Sequence, residues 1–175
     1  VADPSRRAYA AMITAMDDQI GRVVEALDRR GMRDATMIVF QSDNGGPRSA
    51  RFTGEVDMSN SVIPADNGRF RDGKASLYEG GTRVAALANW PGRIAPGTVI
   101  DQPIHVVDMY PTLARLAGAT LGRNKPLDGV DVWTCLSQGA PSPRTEVVYG
   151  IEPFRGAFRV GDWKLVWQAT LPSRI

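Results

Sequence analysis

Cysteine is almost missing from this sequence: it occurs once, at Cys135. That excludes a disulfide within the chain, so redox chemistry leaves no mark of its compartment. An excess of one charge is missing too. Lysine and arginine number 21 against 19 acidic residues, a formal net charge of +2, and the arginines are scattered. This argues against a nucleic acid or an anionic membrane as partner. No apolar run approaches the roughly 18 residues that span a bilayer. Repeats and low-complexity tracts are absent, and there is neither an initiator methionine nor a visible signal peptide before the first helix signal. What remains is ordinary. Over 175 residues, 43% are hydrophobic and 23% charged, a soluble globular composition long enough for one domain with a core.

Asp3-Pro4 reads as a helix start, an N-cap followed by proline at the first helical position. Tyr9, Met12, Met16, Ile20, Val23 and Leu27 then recur at helical spacing, and Gly31 supplies the stop. The stripe predicts an amphipathic helix that packs on something, with Asp17 and Asp18 on its polar side. Thr36 to Phe40 is apolar without alternation, as in a strand buried on both faces of a helix-covered parallel sheet. It breaks off in Ser42-Asp43-Asn44-Gly45-Gly46. A second interior strand is expected over Val84 to Ala88, closed by Trp90-Pro91-Gly92. Helix, strand and Gly-rich loop in succession is the rhythm of an α/β domain. Residues 47 to 73 form a long polar stretch of the kind that is functional or mobile.

Asp108 reads as the N-cap of a helix through Leu113 and Leu116 that stops at Gly118, and a short helix is expected over Asp131 to Leu136. The last third changes character. Val147 to Tyr149, Ala157 to Val160 and Trp163 to Trp167 read as strands of a small antiparallel sheet, the last two joined by the turn Gly161-Asp162. Trp163 and Trp167 are assigned to its inner face.

Asp43 and Asn44 fall where a buried strand ends, and ligands gather outside the carboxyl ends of strands in open α/β sheets. A carboxylate and an amide carbonyl are hard oxygen donors of the kind calcium or magnesium prefers. Gly45 and Gly46 permit unusual backbone angles that would turn both side chains to one point. The same string is also common turn punctuation, and on residues alone both readings stand. Lys74, in Arg71-Asp72-Gly73-Lys74, is placed to neutralise an oxyanion, although most lysines are solvated surface charges.

Together, Ser42 to Gly46, Arg71 to Lys74, Leu77-Tyr78-Glu79-Gly80-Gly81-Thr82-Arg83-Val84 and Trp90-Pro91-Gly92 resemble the arylsulfatase family in order and spacing. Val107 to Leu113, Leu127-Asp128-Gly129-Val130, Arg159 to Leu165 and the opening helix extend the match over nearly the whole chain. The resemblance implies an alkaline-phosphatase-like α/β sandwich, a mixed sheet flanked by helices, with a small C-terminal antiparallel sheet. On this reading residues 1–140 are the C-terminal part of the catalytic domain and 141–175 begin the small subdomain.

The family's chemistry is sulfate-ester hydrolysis. The resemblance implies Asp43 and Asn44 as ligands of one calcium ion shared with carboxylates earlier in the protein, and Lys74 as a sulfate contact. It also implies a formylglycine nucleophile upstream, made from a Cys-x-Pro/Ala-Ser/Gly-Arg signature. Thr134-Cys135-Leu136-Ser137 is not that signature, so Cys135 is expected to be a small buried hydrophobe. His105 is the only histidine, matches no catalytic one, and is expected to be half-buried and structural. Glu79 and Arg83, four apart, are expected to pair.

The substrate class is a sulfate-ester small molecule or a sulfated carbohydrate, in a periplasmic, secreted or lysosomal-type setting, with no nucleic acid and no membrane span. The chain is expected to be cut at both ends and inactive alone. Two alternatives stay open: a phosphodiesterase or phosphonate hydrolase of the same superfamily, and a non-catalytic binding module.

Overall fold

The Asp3 carboxylate accepts the Arg6 N–H at 2.8 Å, Pro4 takes the first helical position, and helix α1 runs Pro4–Arg29. In this computed structural model residues 3–48, 65–122 and 125–169 are described. They fall into two units, Val1–Trp90 and Pro91–Ile175.

In the first unit, α1 ends as its sequence requires: the Arg30 N–H reaches the Ala26 carbonyl, and Gly31 follows in the left-handed region at φ 64°. Its packing face is turned from the expected one. Ile13, Met16, Ile20 and Val24 line an open groove with Ile38, Phe40 and Leu87, while Met12 and Val23 stay 70% and 58% exposed. Apolar residues are doubled at 12/13 and 23/24, so two overlapping stripes fit the helical period, and the groove uses the second.

Strand β1 (Ile38–Gln41) ends at the Ser42 loop. After the short helix α2 (Glu79–Thr82), strand β2 (Ala86–Asn89) pairs with it antiparallel, Phe40 opposite Leu87. The expected interior strand of a parallel sheet is therefore corrected: the pairing is antiparallel, and Val39 and Leu87 are 39% and 69% exposed. A continuous apolar run encodes an affinity for two covered faces but says nothing of a neighbour's direction. The Trp90 indole donates to the Asp34 carbonyl at 2.8 Å, fixing the end of β2.

In the second unit, α3 (Met109–Leu116) stops at Gly118, φ 69°, and α4 (Trp133–Gln138) carries Cys135, which is fully buried as expected. Strands β3 (Glu146–Glu152), β4 (Arg155–Val160) and β5 (Trp163–Gln168) form an antiparallel sheet in that order, with Gly161 at φ 54° in the hairpin turn. The core gathers Val132, Cys135, Val147 and Ala157.

Ala157 faces Val166 across the sheet, so Trp163, Leu165 and Trp167 share the opposite side. Trp163 is 86% exposed, which corrects its assignment to an inner face; Trp167 is half-buried, its ring filling the space above Gly156. Three aromatic and apolar residues at period two fix a shared side but not which side is covered. Among the described residues no helix is long and apolar enough to cross a membrane.

Candidate functional site

Three short backbone segments of the first unit, 42–46, 71–76 and 78–82, meet through glycines. A Cβ on Gly45 would overlap the Gly80 carbonyl, one on Gly73 the Gly46 carbonyl, and one on Gly80 the Asp72 carbonyl. None of these glycines has a positive φ. The expectation that Gly45 and Gly46 are needed for unusual angles is thus corrected: at Gly45 backbone packs directly on backbone, and at Gly46 an added Cβ would meet the Ala65 side chain.

Hydrogen bonds close the contact. Gly45 N–H donates to the Gly81 carbonyl at 3.0 Å, Lys74 N–H to the Gly46 carbonyl at 3.1 Å and Gly80 N–H to the Arg71 carbonyl at 2.8 Å. The backbones of Gly46 and Lys74, separate in sequence, are thus neighbours in space, with Asp43-Asn44 immediately before the glycine pair.

Asn67 locks this arrangement and escaped the sequence reading. Its Oδ1 accepts the Gly46 N–H at 2.8 Å, and its Nδ2 donates to the carbonyls of Gly46 at 3.0 Å and Asp72 at 2.8 Å. A lone asparagine in a polar stretch has no periodicity to betray it. The rest of that stretch, residues 49–64, lies outside the described residues.

Either side of Gly73-Lys74, Asp72 and Ala75 hold left-handed backbone, φ 66° and 71°. Each such non-glycine residue costs about 1 kcal/mol, a strain retained where surrounding contacts dictate the conformation.

Asp43 is exposed and Asn44 half-buried; among the described residues neither side chain has a hydrogen-bond or ion-pair partner. Two uncommitted oxygen donors at a strand end suit a hard cation. Among the described residues no three His, Cys, Asp or Glu side chains group to hold a metal. Arg83, expected to pair with Glu79, lies over the Phe70 ring at 5.1 Å, and its N–H donates to the Glu79 carbonyl at 2.8 Å.

A second polar cluster lies in the other unit. Asp108 precedes α3, but its side chain does not cap that helix, a correction to its expected role. It is fully buried and ion-paired with Arg144, and it accepts the N–H groups of His105 at 2.8 Å and Val130 at 2.9 Å. Burial works to raise the Asp108 pKa, but the Arg144 guanidinium and the two N–H groups hold it below the ordinary carboxylate value. His105 is half-buried, as expected; its Nδ1 accepts the Val107 N–H at 3.3 Å. Burial, then the nearby Arg144 charge, lower its pKa. Such a closed cluster is a brace, not a reactive centre.

Comparison with known proteins gives this geometry a context. The sulfatase family model matches residues 2–119. Arylsulfatase J of Mus musculus is 32% identical over 98% of this chain, which spans 27% of that protein. Steryl-sulfatase of Mus musculus is 36% identical over 93% of the chain and 25% of its own length. The crystal structure of Ps i-CgsB in complex with k-i-k-neocarrahexaose superimposes with a TM-score of 0.81 and 31% identity, covering 98% of this chain and 36% of that one. The chain thus spans about a quarter of the curated relatives' length. The expected fold class, an alkaline-phosphatase-like α/β arrangement with a small antiparallel sheet, agrees with these neighbours.

Proposed function

Because the chain belongs to the sulfatase family, we propose that the complete protein hydrolyses a sulfate ester and that this chain supplies part of its metal and sulfate site. The observation that carries the reading is the Lys74 N–H bond to the Gly46 carbonyl, which brings the lysine's loop against Asp43-Asn44. Asp43 and Asn44 would hold one calcium ion together with carboxylates from elsewhere in the protein. When bound, that ion supplies Lewis-acid stabilisation of the ester's oxygens.

Lys74 contributes a fixed positive charge. A sulfate ester gathers negative charge on oxygen as its S–O bond breaks, and an ammonium held nearby stabilises that charge where it develops. The glycine contacts and Asn67 hold the lysine's backbone against the ligand loop. The formylglycine nucleophile belongs to another part of the protein, so the 175-residue chain alone is inactive. Residues 1–140 belong to the catalytic domain and 141–175 to the small subdomain. The oligosaccharide in the Ps i-CgsB structure supports a sulfated carbohydrate as substrate, and we place the complete protein in a periplasmic, secreted or lysosomal-type setting by family resemblance.

The test measures sulfate release by the complete protein with and without calcium, alongside Asp43→Ala, Lys74→Ala and the isolated chain. Calcium-dependent turnover, reduced at least a hundredfold in either variant and absent from the isolated chain, is expected; the loss of one preorganised charge-stabilising group has about that effect. Full activity in Asp43→Ala, or turnover by the isolated chain, overturns the assignment.

A further inference from the structure

One backbone carbonyl of the glycine-packed scaffold takes donors from two separate segments. The Gly46 carbonyl accepts the Lys74 N–H at 3.1 Å and the Asn67 Nδ2 at 3.0 Å. Asn67 Nδ2 also donates to the Asp72 carbonyl at 2.8 Å, while its Oδ1 accepts the Gly46 N–H at 2.8 Å. Both hydrogens of the carboxamide are therefore spent on backbone. The bonds close a ring: from Gly46 to Lys74, back along the chain to Asp72, and through Asn67 to Gly46 again.

The ring decides how firmly Lys74 is aimed. A lone hydrogen bond at the Lys74 N–H is a pivot about which the peptide can rock. A second tie at Asp72, across Gly73, removes that freedom. It also restrains backbone that would otherwise relax: Asp72 and Ala75 hold φ 66° and 71°, angles that non-glycine residues keep only where surrounding contacts impose them. Lys74 and Ala75 are the central residues of a turn closed by the Ser76 N–H to the Gly73 carbonyl at 2.9 Å. Turns with positive φ at the third position favour glycine there, so contacts around this turn, rather than its own residues, hold its shape.

Asn67 is fixed without help from its side chain. Its carbonyl accepts the Phe70 N–H at 3.1 Å, and Asp66 Oδ1 accepts the Gly68 N–H at 2.8 Å. Ala65, 4% exposed, packs where a Cβ on Gly46 would stand 2.6 Å from its own. A turn that does not need the carboxamide thus presents it to both loops.

We propose that Asn67 is a positioning residue for Lys74: its carboxamide sets the orientation in which the lysine meets the ester's oxygens, and does not itself touch substrate. The proposal rests on the sulfatase reading and adds to it a residue whose effect on turnover passes through the lysine.

The experiment is a double-mutant cycle on the complete protein. Sulfate release is measured with whichever of an aryl sulfate and a set of monosulfated sugars wild type turns over fastest. Wild type, Asn67→Ala, Lys74→Ala and the double variant are compared well below their unfolding midpoints, so that all stay folded. Asn67→Ala is expected to lower kcat/KM about tenfold to a hundredfold, as misplacing a catalytic group by about an ångström does. In the Lys74→Ala background the same change is expected to matter by less than about twofold, because residues that act through one another are not additive. Asn67→Asp keeps the size and one acceptor but turns an oxygen towards the two carbonyls, and is expected to lose at least as much as Asn67→Ala. Should Asn67→Ala fail to fold, Asn67→Asp runs through the same cycle.

An equal loss in both backgrounds makes Asn67 a part of the fold alone and overturns the proposal, as does full activity in Asn67→Asp. Either result leaves the sulfatase reading standing. A Lys74→Ala variant as active as wild type overturns the lysine's assignment, and this proposal with it. No sulfate release by wild type overturns the sulfatase reading as a whole.

Discussion

Arg144 grips Asp108 at both carboxylate oxygens: Nε donates to Oδ2 at 2.7 Å, and a second guanidinium nitrogen reaches Oδ1. The same arginine also donates to the Asp128 carbonyl at 2.8 Å, so one buried pair joins the turn before α3, the segment before α4 and the start of β3. Removing one partner strands the other charge. Arg144→Ala is expected to cost about 3–5 kcal/mol in denaturant unfolding, as buried pairs do when broken from one side. A loss below about 1 kcal/mol would show that solvent already reaches the site.

The same pair sets an acid limit. The Asp108 carboxyl titrates at an ordinary 3.8 in the unfolded chain and lower in the folded one. Its contribution is therefore complete above about pH 4 and is lost as pH falls through the folded value. Stability measured from pH 5 down to pH 2 should fall more steeply in wild type than in Asp108→Asn. Parallel curves would remove the carboxylate from the account.

His105 works in a neighbouring window. Its folded pKa is lowered from 6.5, so the unfolded chain binds the proton first, and stability declines as pH drops below 6.5 until the folded value is passed. Because the sequence holds one histidine, its ring signals can be followed by NMR without assignment. A titration midpoint below 6.5 is expected, and one at or above 6.5 contradicts the burial argument.

Two glycines make opposite predictions for one substitution. At Gly45 an added methyl meets the Gly80 carbonyl, and Gly45→Ala should destabilise by about 1–3 kcal/mol. At Gly21, within α1, nothing lies within 4 Å, and Gly21→Ala should stabilise by about 0.5–1 kcal/mol. Urea unfolding of both variants checks the pair, and equal signs would refute the close-approach argument.

Asn67→Ala removes the acceptor for Gly46 N–H and the donor to two carbonyls. A loss of about 1–3 kcal/mol is expected locally. Hydrogen exchange at the Gly46 and Lys74 amides should quicken at least tenfold, with α1 unaffected. Unchanged exchange at both amides would remove Asn67 from the scaffold.

Features governed by neighbouring residues were legible in the sequence. The Asp3 cap, the Gly31 and Gly118 stops and the Gly161-Asp162 hairpin follow from local rules, and the structure bears them out. Asp43, Asn44 and Lys74 stood out through chemistry and spacing, and the Lys74 N–H bonds to the carbonyl of Gly46, two residues after Asn44. Pairings made across the chain were not legible. Asp108 and Arg144 are 36 residues apart, and nothing near either announces the other. The direction of β1's partner, the choice between overlapping stripes on α1 and the exposure of Trp163 depend on what covers each surface, which a single strand's pattern does not state.

The left-handed pair Asp72 and Ala75 sets a conflict for anyone improving this protein. Ala75→Gly relieves a penalised backbone angle, so screens for heat resistance should find it readily. The same exchange loosens the peptide beside Lys74, and on the proposed reading it loosens the lysine's aim as well. Hardiness and marksmanship are opposed at that position, and a variant chosen for the first should be checked for the second before it is kept.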